Sequence, residues 1–254
     1  MQSSDNRALS LGGALLIGLL SGAGVALGGY FIGKGFYAAR VGERFVTVKG
    51  LAERDVKADL AVWTVSYTAT GRGLAEANSA IAQDQTLVTA FATGHGFPAA
   101  EIEVQPTTVT DTYANQSERR APDPDQRYVI KGGIRIRSGK VDQVRLASQD
   151  TGDLVKQGVV LGENYPQAPQ YFFTRLNDIR PAMLADATRS ARSVAEQFAA
   201  DSHSRLGAIR RASQGVFEVT GRDSNGENGA VDDQSSLEKK VRLVSTIDYF
   251  LVSQ

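Results

Sequence analysis

The side chains that most often do chemistry are few in this sequence. It has no Cys and 2 His, which excludes thiol nucleophiles, disulfides and Cys-ligated metals. His95 lies between glycines at a predicted helix end and His203 lies just after another helix, so we interpret both as C-terminal caps rather than catalytic bases. Ser224 lacks the G-x-S-x-G spacing of a nucleophile elbow. The sequence therefore predicts no catalytic residue and no enzyme; the alternative, an unrecognised hydrolase, would depend on His95 or His203.

Two other patterns resemble ligand sites but lack a required residue. Gly28 to Gly35 differs from a phosphate-binding P-loop at one position, because Gly35 stands where Ser or Thr would bind magnesium. The acidic segment 223–233 has oxygen ligands suited to calcium, yet Gly221 stands where the first carboxylate belongs. The sequence therefore predicts no metal and no cofactor, and it favours a solvated loop over a calcium site.

The charge pattern argues against nucleic acid as a partner and leaves one basic stretch. The 28 Lys and Arg residues balance 28 Asp and Glu residues, whereas proteins that bind nucleic acid usually carry a clustered basic excess. In the basic stretch, Tyr128, Ile130, Ile134 and Ile136 alternate with Arg127, Lys131, Arg135 and Arg137. This period of two predicts a strand with one buried face. Arg127, Lys131 and Arg135 form a candidate anion-binding face, and a solvated outer face is the alternative.

The N-terminal segment predicts a membrane helix. No charged residue occurs from Ala8 to Gly33, and at about 1.5 Å per residue this segment can cross a hydrocarbon core of about 30 Å. Because the apolar core of a signal peptide usually has about 7 to 15 residues, we predict an uncleaved signal anchor. The small residues Gly24-Val25-Ala26 keep a cleaved signal peptide open as the alternative.

One face of this predicted helix carries small residues. Ala14, Gly18, Gly22, Gly29 and Gly33 fall within about 100° of arc at about 3.6 residues per turn. The pair Gly18 and Gly22 and the pair Gly29 and Gly33 both fit the G-x-x-x-G pattern, which lets two helices pack closely in lipid. The pattern predicts self-association of the membrane helix, although glycine is also common in membrane helices generally.

Beyond a linker at 34–44, periodicity predicts elements in the order β-β-α-β-β-α-β-α-β-β. The strands are at 45–50, 59–71, 102–112, 127–137, 170–175, 207–219 and 239–252, and the helices are at 73–94, 141–155 and 179–201. This order favours an α+β fold with mainly antiparallel sheets over a doubly wound parallel sheet. The last helix has a predicted apolar stripe of Met183, Ala187, Ala191, Val194 and Phe198.

Several stretches resemble the SIMPL-domain family of bacterial envelope proteins. They are the run FVTVKGLAERDVKADL at 45–60, the strand–helix–strand region to Thr107, FTRL at 173–176, the Ala-rich helix through 187–201, and Leu206-Gly207. The resemblance spans 45–251 and is distributed along the chain. Many relatives have a second Gly soon after the position of Gly50, where this chain has Leu51-Ala52.

The resemblance implies a two-layer α/β fold in two subdomains, export to the periplasm or cell surface and, for some members, ring-shaped homo-oligomers. It implies no catalytic mechanism. Charge alone points to the opposite orientation, because Lys34, Arg40, Arg44 and Lys49 follow the membrane helix and Arg7 precedes it. Export therefore rests mainly on the resemblance. We expect an inner-membrane protein with a periplasmic soluble domain; cleavage and release to the periplasm is the alternative.

The expected organisation has residues 1–33 as N-terminus and anchor, 34–44 as linker, 45–115 plus 205–254 as one α/β subdomain, and 126–204 as an inserted second one. A single boundary near residue 125 is the alternative. The expected function is a membrane-anchored, non-enzymatic, self-associating scaffold, with a stress-protective role implied by the resemblance. The alternative function is a periplasmic module that binds an anionic small molecule or lipid headgroup.

Overall fold

The periodic segments of the sequence form seven strands and six helices in the computed structural model, which describes residues 11–41, 44–114, 124–162, 168–223 and 232–253. The helices are α1 (Leu11–Val41), α2 (Leu74–Gly94), α3 (Val141–Gln149), α4 (Gly152–Lys156), α5 (Leu176–Asp201) and α6 (Asp232–Ser235). The strands are β1 (Phe45–Lys57), β2 (Leu60–Gly71), β3 (Ile102–Asp111), β4 (Tyr128–Ser138), β5 (Gln170–Phe172), β6 (Ser204–Gly221) and β7 (Glu238–Ser253). The predicted α+β class is confirmed.

The strands form two sheets, with the orders β1-β7-β6 and β3-β4-β2-β5. In the four-stranded sheet, β2 pairs antiparallel with β4 and β5, and β3 pairs antiparallel with β4. Val65 of β2 lies opposite Ile134 of β4, so the apolar residues of both strands share one face. This is the alternation that the sequence predicted.

Several elements differ in extent from their prediction; β5, for example, ends at Phe172 rather than at 175, and α5 begins at Leu176 rather than at 179. α1 continues through most of the predicted linker 34–44. β1 continues beyond Gly50, and every second residue, beginning with Ala52, stays buried or half-buried. The predicted helix 141–155 is divided into α3 and α4, because the amide of Asp150 bonds to the carbonyl three residues back and tightens the last turn of α3.

The chain divides into two units that interleave in sequence. The first unit comprises Met1–Gly50, Thr188–Gln214 and Ser245–Gln254, and the second unit comprises Leu51–Ala187 and Gly215–Val244. β1, α5, β6 and β7 each contribute residues to both units. These four elements pass from one unit to the other partway along their length, whereas the predicted subdomains have their boundaries in loops.

In the second unit, α2 packs on one face of the four-stranded sheet. Its buried residues, including Ile81 and Val88, join the inward side chains of β2 and β4 in one apolar cluster with Trp63 and Tyr67. Gly132 makes room for this packing, since a Cβ added there would lie 2.9 Å from the Tyr67 ring. The aromatic ring therefore fills the space that a side chain on β4 would take.

The buried stripe of α5 agrees with the prediction at Met183, Ala187 and Ala191, but alanines take the place of the two larger residues predicted after them. Ala187, Ala191, Ala195 and Ala199 are buried at a spacing of four residues. Val194 and Phe198 are 41% and 54% exposed, so their predicted place in the stripe is wrong. In the first unit Ala191 and Ala195 pack with Val48, Ile247 and Tyr249. Small side chains let the helix approach the strands closely, and that approach selects alanine over valine or phenylalanine.

Candidate membrane helix and polar depression

The apolar part of α1 is the first candidate functional element. Leu16–Phe36, 21 residues, is long and apolar enough to cross a membrane, and none of it is buried within the protein. A signal sequence near the N-terminus has the same properties. Along the predicted packing face, a Cβ added at Gly18, Gly22, Gly29 or Gly33 would meet no atom within 4 Å. Ala14 lies in α1, but its side chain is outside the described ones. The glycine face is therefore open to a partner.

The two histidines lie at helix ends, where the sequence placed them. The backbone amide of His95 donates to the carbonyl of Phe91, and the ring Nδ1 lies 2.9 Å from the same oxygen. Its Nε2 lies 3.3 Å from the carboxylate of Asp150. His203 follows α5 with φ 54°, a left-handed conformation in which His is enriched, and its amide donates to the carbonyl of Ala200. Each histidine thus satisfies backbone groups at the end of a helix.

The three residues of the predicted anion-binding face have different partners. Arg127, just before β4, donates hydrogen bonds of 3.4 and 3.2 Å to the carboxylate of Asp111, and these bonds lower the pKa of Asp111. Arg135 lies 3.7 Å from the carboxylate of Glu103, which stands opposite it on β3. Lys131 lines the depression described next. Two of the three cations therefore face carboxylates, and the face is not uniformly basic.

A polar depression of about 230 Å³ lies on the sheet face opposite α2. In one row across three strands, Gly133 stands between Gln105 of β3 and Ser66 of β2. Because residues opposite each other in an antiparallel pair share a face, the missing side chain of Gly133 leaves a gap between its two neighbours. This gap is the floor of the depression.

The next row adds a cation and two hydroxyl groups. Lys131 stands between Thr108 of β3 and Thr68 of β2, and all three line the depression. Gly162 closes one side, with its amide donating to the carbonyl of Ser66 at 2.8 Å. The polar depression is thus bounded by hydroxyl groups, an ammonium group and backbone.

One hydrogen-bond donor in the polar depression has no partner. The Nε2 atom of Gln105 is buried and bonds to no described part of the chain. Directly after Gln105 a bulge at Pro106 interrupts the pairing of β3 with β4, and such bulges re-aim side chains beside functional sites. A buried donor without a partner costs about 1 to 3 kcal/mol and is rare. Gln105, which lines the depression, therefore carries a buried amide donor that no described group satisfies.

The hydroxyl face of β2 was missed in the sequence, although a signal for it exists. A strand is predicted at 59–71, but no polar face is assigned to it. From Thr64 onward, however, Ser66 and Thr68 continue one face while Val65 and Tyr67 continue the other. Burial, followed by the charge of Asp84, raises the pKa of Tyr67 to about 12. The two faces of this one strand are therefore polar and apolar.

The alternative calcium loop at 223–233 lies mostly outside the described residues. At its start, Asp223 pairs with the guanidinium of Arg222 at 3.2 Å. Across the described ranges, no group of three His, Cys, Asp or Glu side chains is arranged to hold a metal ion.

Comparison with protein families finds a match over most of the chain. The family model SIMPL, described as a protein of unknown function (DUF541), matches residues 46–244. No curated protein matches the chain significantly. The matched range runs from β1 into β7, so it includes both sheets and the polar depression.

Proposed function

This chain belongs to the SIMPL family, and we propose that it is a membrane-anchored, non-enzymatic protein of the bacterial cell envelope that self-associates as a scaffold. The stress-protective role implied by the sequence resemblance is part of this proposal. The observation that carries it is the apolar segment of α1, which the folded protein leaves wholly exposed.

Membrane insertion would bury the α1 side chains that are now exposed. Leu19 and Val25, for example, are 75% and 77% exposed, and continuous apolar surface of this kind marks contact with a membrane or partner. At about 1.5 Å per residue, the segment matches a hydrocarbon core of about 30 Å. We propose that α1 remains as an uncleaved anchor with the folded body in the periplasm; a cleaved, released body is the competing form.

Protease accessibility combined with the mature N-terminal mass tests both the orientation and the anchor. We expect external protease to digest the folded body in intact spheroplasts, and the mature mass to include residues 1–33. Digestion only after permeabilisation would place the body in the cytoplasm and overturn the proposal. A mature mass that corresponds to a chain beginning near Ala26 would show that the segment is a cleaved signal peptide.

Self-association is supported by two exposed apolar surfaces in the first unit. The first is the open glycine face of α1. The second is the pair Val194 and Phe198 on α5, whose spacing of four residues places them side by side on the helix surface. We propose that a second copy of the chain covers both surfaces. Close packing of small residues drives helix association in lipid at α1, and burial of apolar area would favour contact at α5.

The mass of the full chain in detergent micelles tests the α1 surface. We expect an oligomer that dissociates when Gly18, Gly22 and Gly29 are changed together to Leu, because the added side chains would separate the helices. Gly24→Leu, the same substitution off the glycine face, is the matched control and should leave the mass unchanged. A parent chain that stays monomeric at high concentration would overturn the scaffold.

The α5 surface is tested separately. We expect the double substitution Val194→Ser and Phe198→Ser to weaken the oligomer, because it removes apolar area that a second copy would cover. Leu146→Ser on α3 is the control, since Leu146 is similarly exposed (52%) but lies in the second unit. An equal effect of the two changes would show that α5 is not the contact surface.

The non-enzymatic part of the proposal is supported by the positions of the histidines. The ring of His95 is held by the carbonyl of Phe91 and the carboxylate of Asp150, which is the environment of a helix cap. A hydrolytic activity on a generic ester or phosphoester that is abolished by His95→Ala or His203→Ala would overturn this part.

A second candidate function is binding of an anionic small molecule or lipid headgroup. It is favoured by the position of Lys131 beside the polar depression. Charge reversal by Lys131→Glu and Arg135→Glu should abolish such binding. Retention of every bound anion in both variants would exclude this function for the basic face.

A further inference from the structure

We propose that the polar depression binds the oxyanion group, phosphate or carboxylate, of a small molecule. This inference rests on the second candidate function and assigns it a site. The site is defined by the gap over Gly133, the unpaired amide of Gln105 and the hydroxyl groups of β2 beside them.

The lining of the polar depression is rich in hydrogen-bond donors. Gln105 contributes the unpaired Nε2, Lys131 an ammonium group, and Ser66 and Thr68 their hydroxyls. No carboxylate occurs among the described residues that line it. Charge-assisted hydrogen bonds to an oxyanion are about twice as strong as neutral ones. An oxyanion that reached the buried amide would satisfy it and would also accept a hydrogen bond from the ammonium group of Lys131.

The local architecture keeps this space open. A Cβ added at Gly133 would lie 3.3 Å from the carbonyl oxygen of Val65 and would enter the floor of the depression. The bulge after Gln105 opens the β3–β4 ladder beside the same gap. A volume of about 230 Å³ exceeds the share of one water molecule, about 30 Å³, several times over. The space therefore suits an oxyanion together with a small organic group.

The proposed site differs from the basic face predicted from the sequence. Arg127 and Arg135 face the carboxylates of Asp111 and Glu103 and do not line the polar depression. Lys131 is the one residue of the predicted basic face that lines the polar depression. Substitutions at Gln105 and at the arginines therefore separate the two arrangements.

The experiment is a titration of the isotope-labelled full chain in neutral detergent micelles, followed by NMR, with inorganic phosphate, acetate and glucose as probes. The side-chain amide signal of Gln105 is identified by its loss in Gln105→Leu. We expect phosphate or acetate to shift this signal and the backbone amides of Gly133 and Gly162, whereas glucose should not. Gln105→Leu and Lys131→Met should each weaken binding roughly tenfold, as expected for loss of one hydrogen bond to a charged group.

Thr70→Val is the matched control, because Thr70 lies on β2 beyond the residues that line the depression, and it should bind like the parent. Oxyanion binding that survives Gln105→Leu but is lost in Arg127→Gln or Arg135→Gln would overturn the proposed site and retain the second candidate function. Absence of any oxyanion binding, or binding of glucose alone, would overturn both. If Gln105→Leu fails to fold, the shifts of the Gly133 and Gly162 backbone amides in the parent and the exposed Lys131→Met variant decide the outcome.

A repeat in micelles that contain phosphatidylglycerol, without added phosphate, separates a lipid phosphate from a free one. The same shifts under those conditions would assign the site to a lipid headgroup and overturn the small-molecule source.

Discussion

Replacing Asp59 with asparagine tests how the start of β2 is held to the segment that leads into α5. The Asp59 carboxylate accepts hydrogen bonds from the amide and hydroxyl of Thr174 at 2.8 and 2.9 Å, and from the amide and Nε of Arg175 at 3.1 and 3.2 Å. Its side chain is 12% exposed. Burial alone would raise the pKa of Asp59, but these four hydrogen bonds outweigh it and lower the pKa below its usual value of 3.8.

The expected loss of stability follows from the hydrogen bonds that an asparagine side chain can still accept at this position. One oxygen remains for Thr174, whereas the new NH₂ group faces two donors of Arg175. Loss of a hydrogen bond to a charged acceptor costs about 1.5 to 3 kcal/mol, and the ion pair with the exposed guanidinium adds at most about 1 kcal/mol. We therefore expect Asp59→Asn to lower the free energy of unfolding at pH 7 by about 1.5 to 4 kcal/mol.

Urea unfolding of the full chain in detergent micelles measures this effect. The chain has 1 Trp, Trp63, which is buried. It lies in the second unit, as Asp59 does, so its fluorescence reports the unfolding of that unit. Asp186→Asn is the matched control. The Asp186 side chain is 43% exposed and lies 3.6 Å from Arg54, so its replacement should cost at most about 1 kcal/mol.

The pH dependence provides the second half of the test. Because the pKa of Asp59 is lowered on folding, its contribution to stability is present above the unfolded value and is lost as the pH falls through the folded value. The difference between the parent and Asp59→Asn should therefore shrink below pH 3.8. Equal costs for Asp59→Asn and Asp186→Asn at pH 7, or a difference that persists in acid, would refute the reasoning.

Three further changes have defined expectations. Gly132→Ala should lower the free energy of unfolding by about 1 to 3 kcal/mol, because its Cβ would lie 2.9 Å from the Tyr67 ring; Gly152→Ala, with no atom within 4 Å, should melt like the parent in circular dichroism. Burial raises the pKa of Tyr67 from 10 to about 12, so between these two pH values only the unfolded chain ionises its phenol. The free energy of unfolding measured in urea should therefore fall between pH 10 and about 12. The same decline in a Tyr67→Phe variant would contradict this. Ala191→Leu should cost about 1 to 3 kcal/mol by overpacking, whereas Val194→Leu should stay within about 0.5 kcal/mol; equal melting temperatures would contradict the assigned faces of α5.

Strand alternation made much of the second unit predictable from sequence. Ile130, Ile134 and Ile136 are buried and Lys131 and Arg135 are exposed, because a strand with one covered face fixes the side of every residue. The cap at the end of α2 was also predictable, since glycines surrounding a histidine cannot continue a helix well. Both signals are local, and they need no knowledge of what lies across the sheet.

The buried face of α5 could not be read from hydrophobicity alone. The sequence offers Val194 beside Ala195 and Phe198 beside Ala199, and helical spacing permits either member of each pair to face inward. The larger side chains have the greater apolar area, but the close approach of helix and strands leaves room for alanine. The residues that pack against each position decide which member is buried, and a single sequence does not reveal those partners.

The polar depression was hidden for a similar reason. It needs Gln105, Gly133 and Ser66 side by side on three strands, and the register between strands is not encoded within any one of them. The hydroxyl pattern of β2 indicates a polar face, but the bulge after Gln105 and the unpaired amide become visible only when the strands are paired.

The interleaving of the two units sets an order on biosynthesis. The first unit includes Ser245–Gln254, the last residues of the chain, whereas the second ends at Val244. A ribosome therefore adds every residue of the second unit to the chain before it adds the last residues of the first unit. A nascent chain stalled or truncated near residue 244 would hold α1 and a complete second unit while β7 still lacked its C-terminal half.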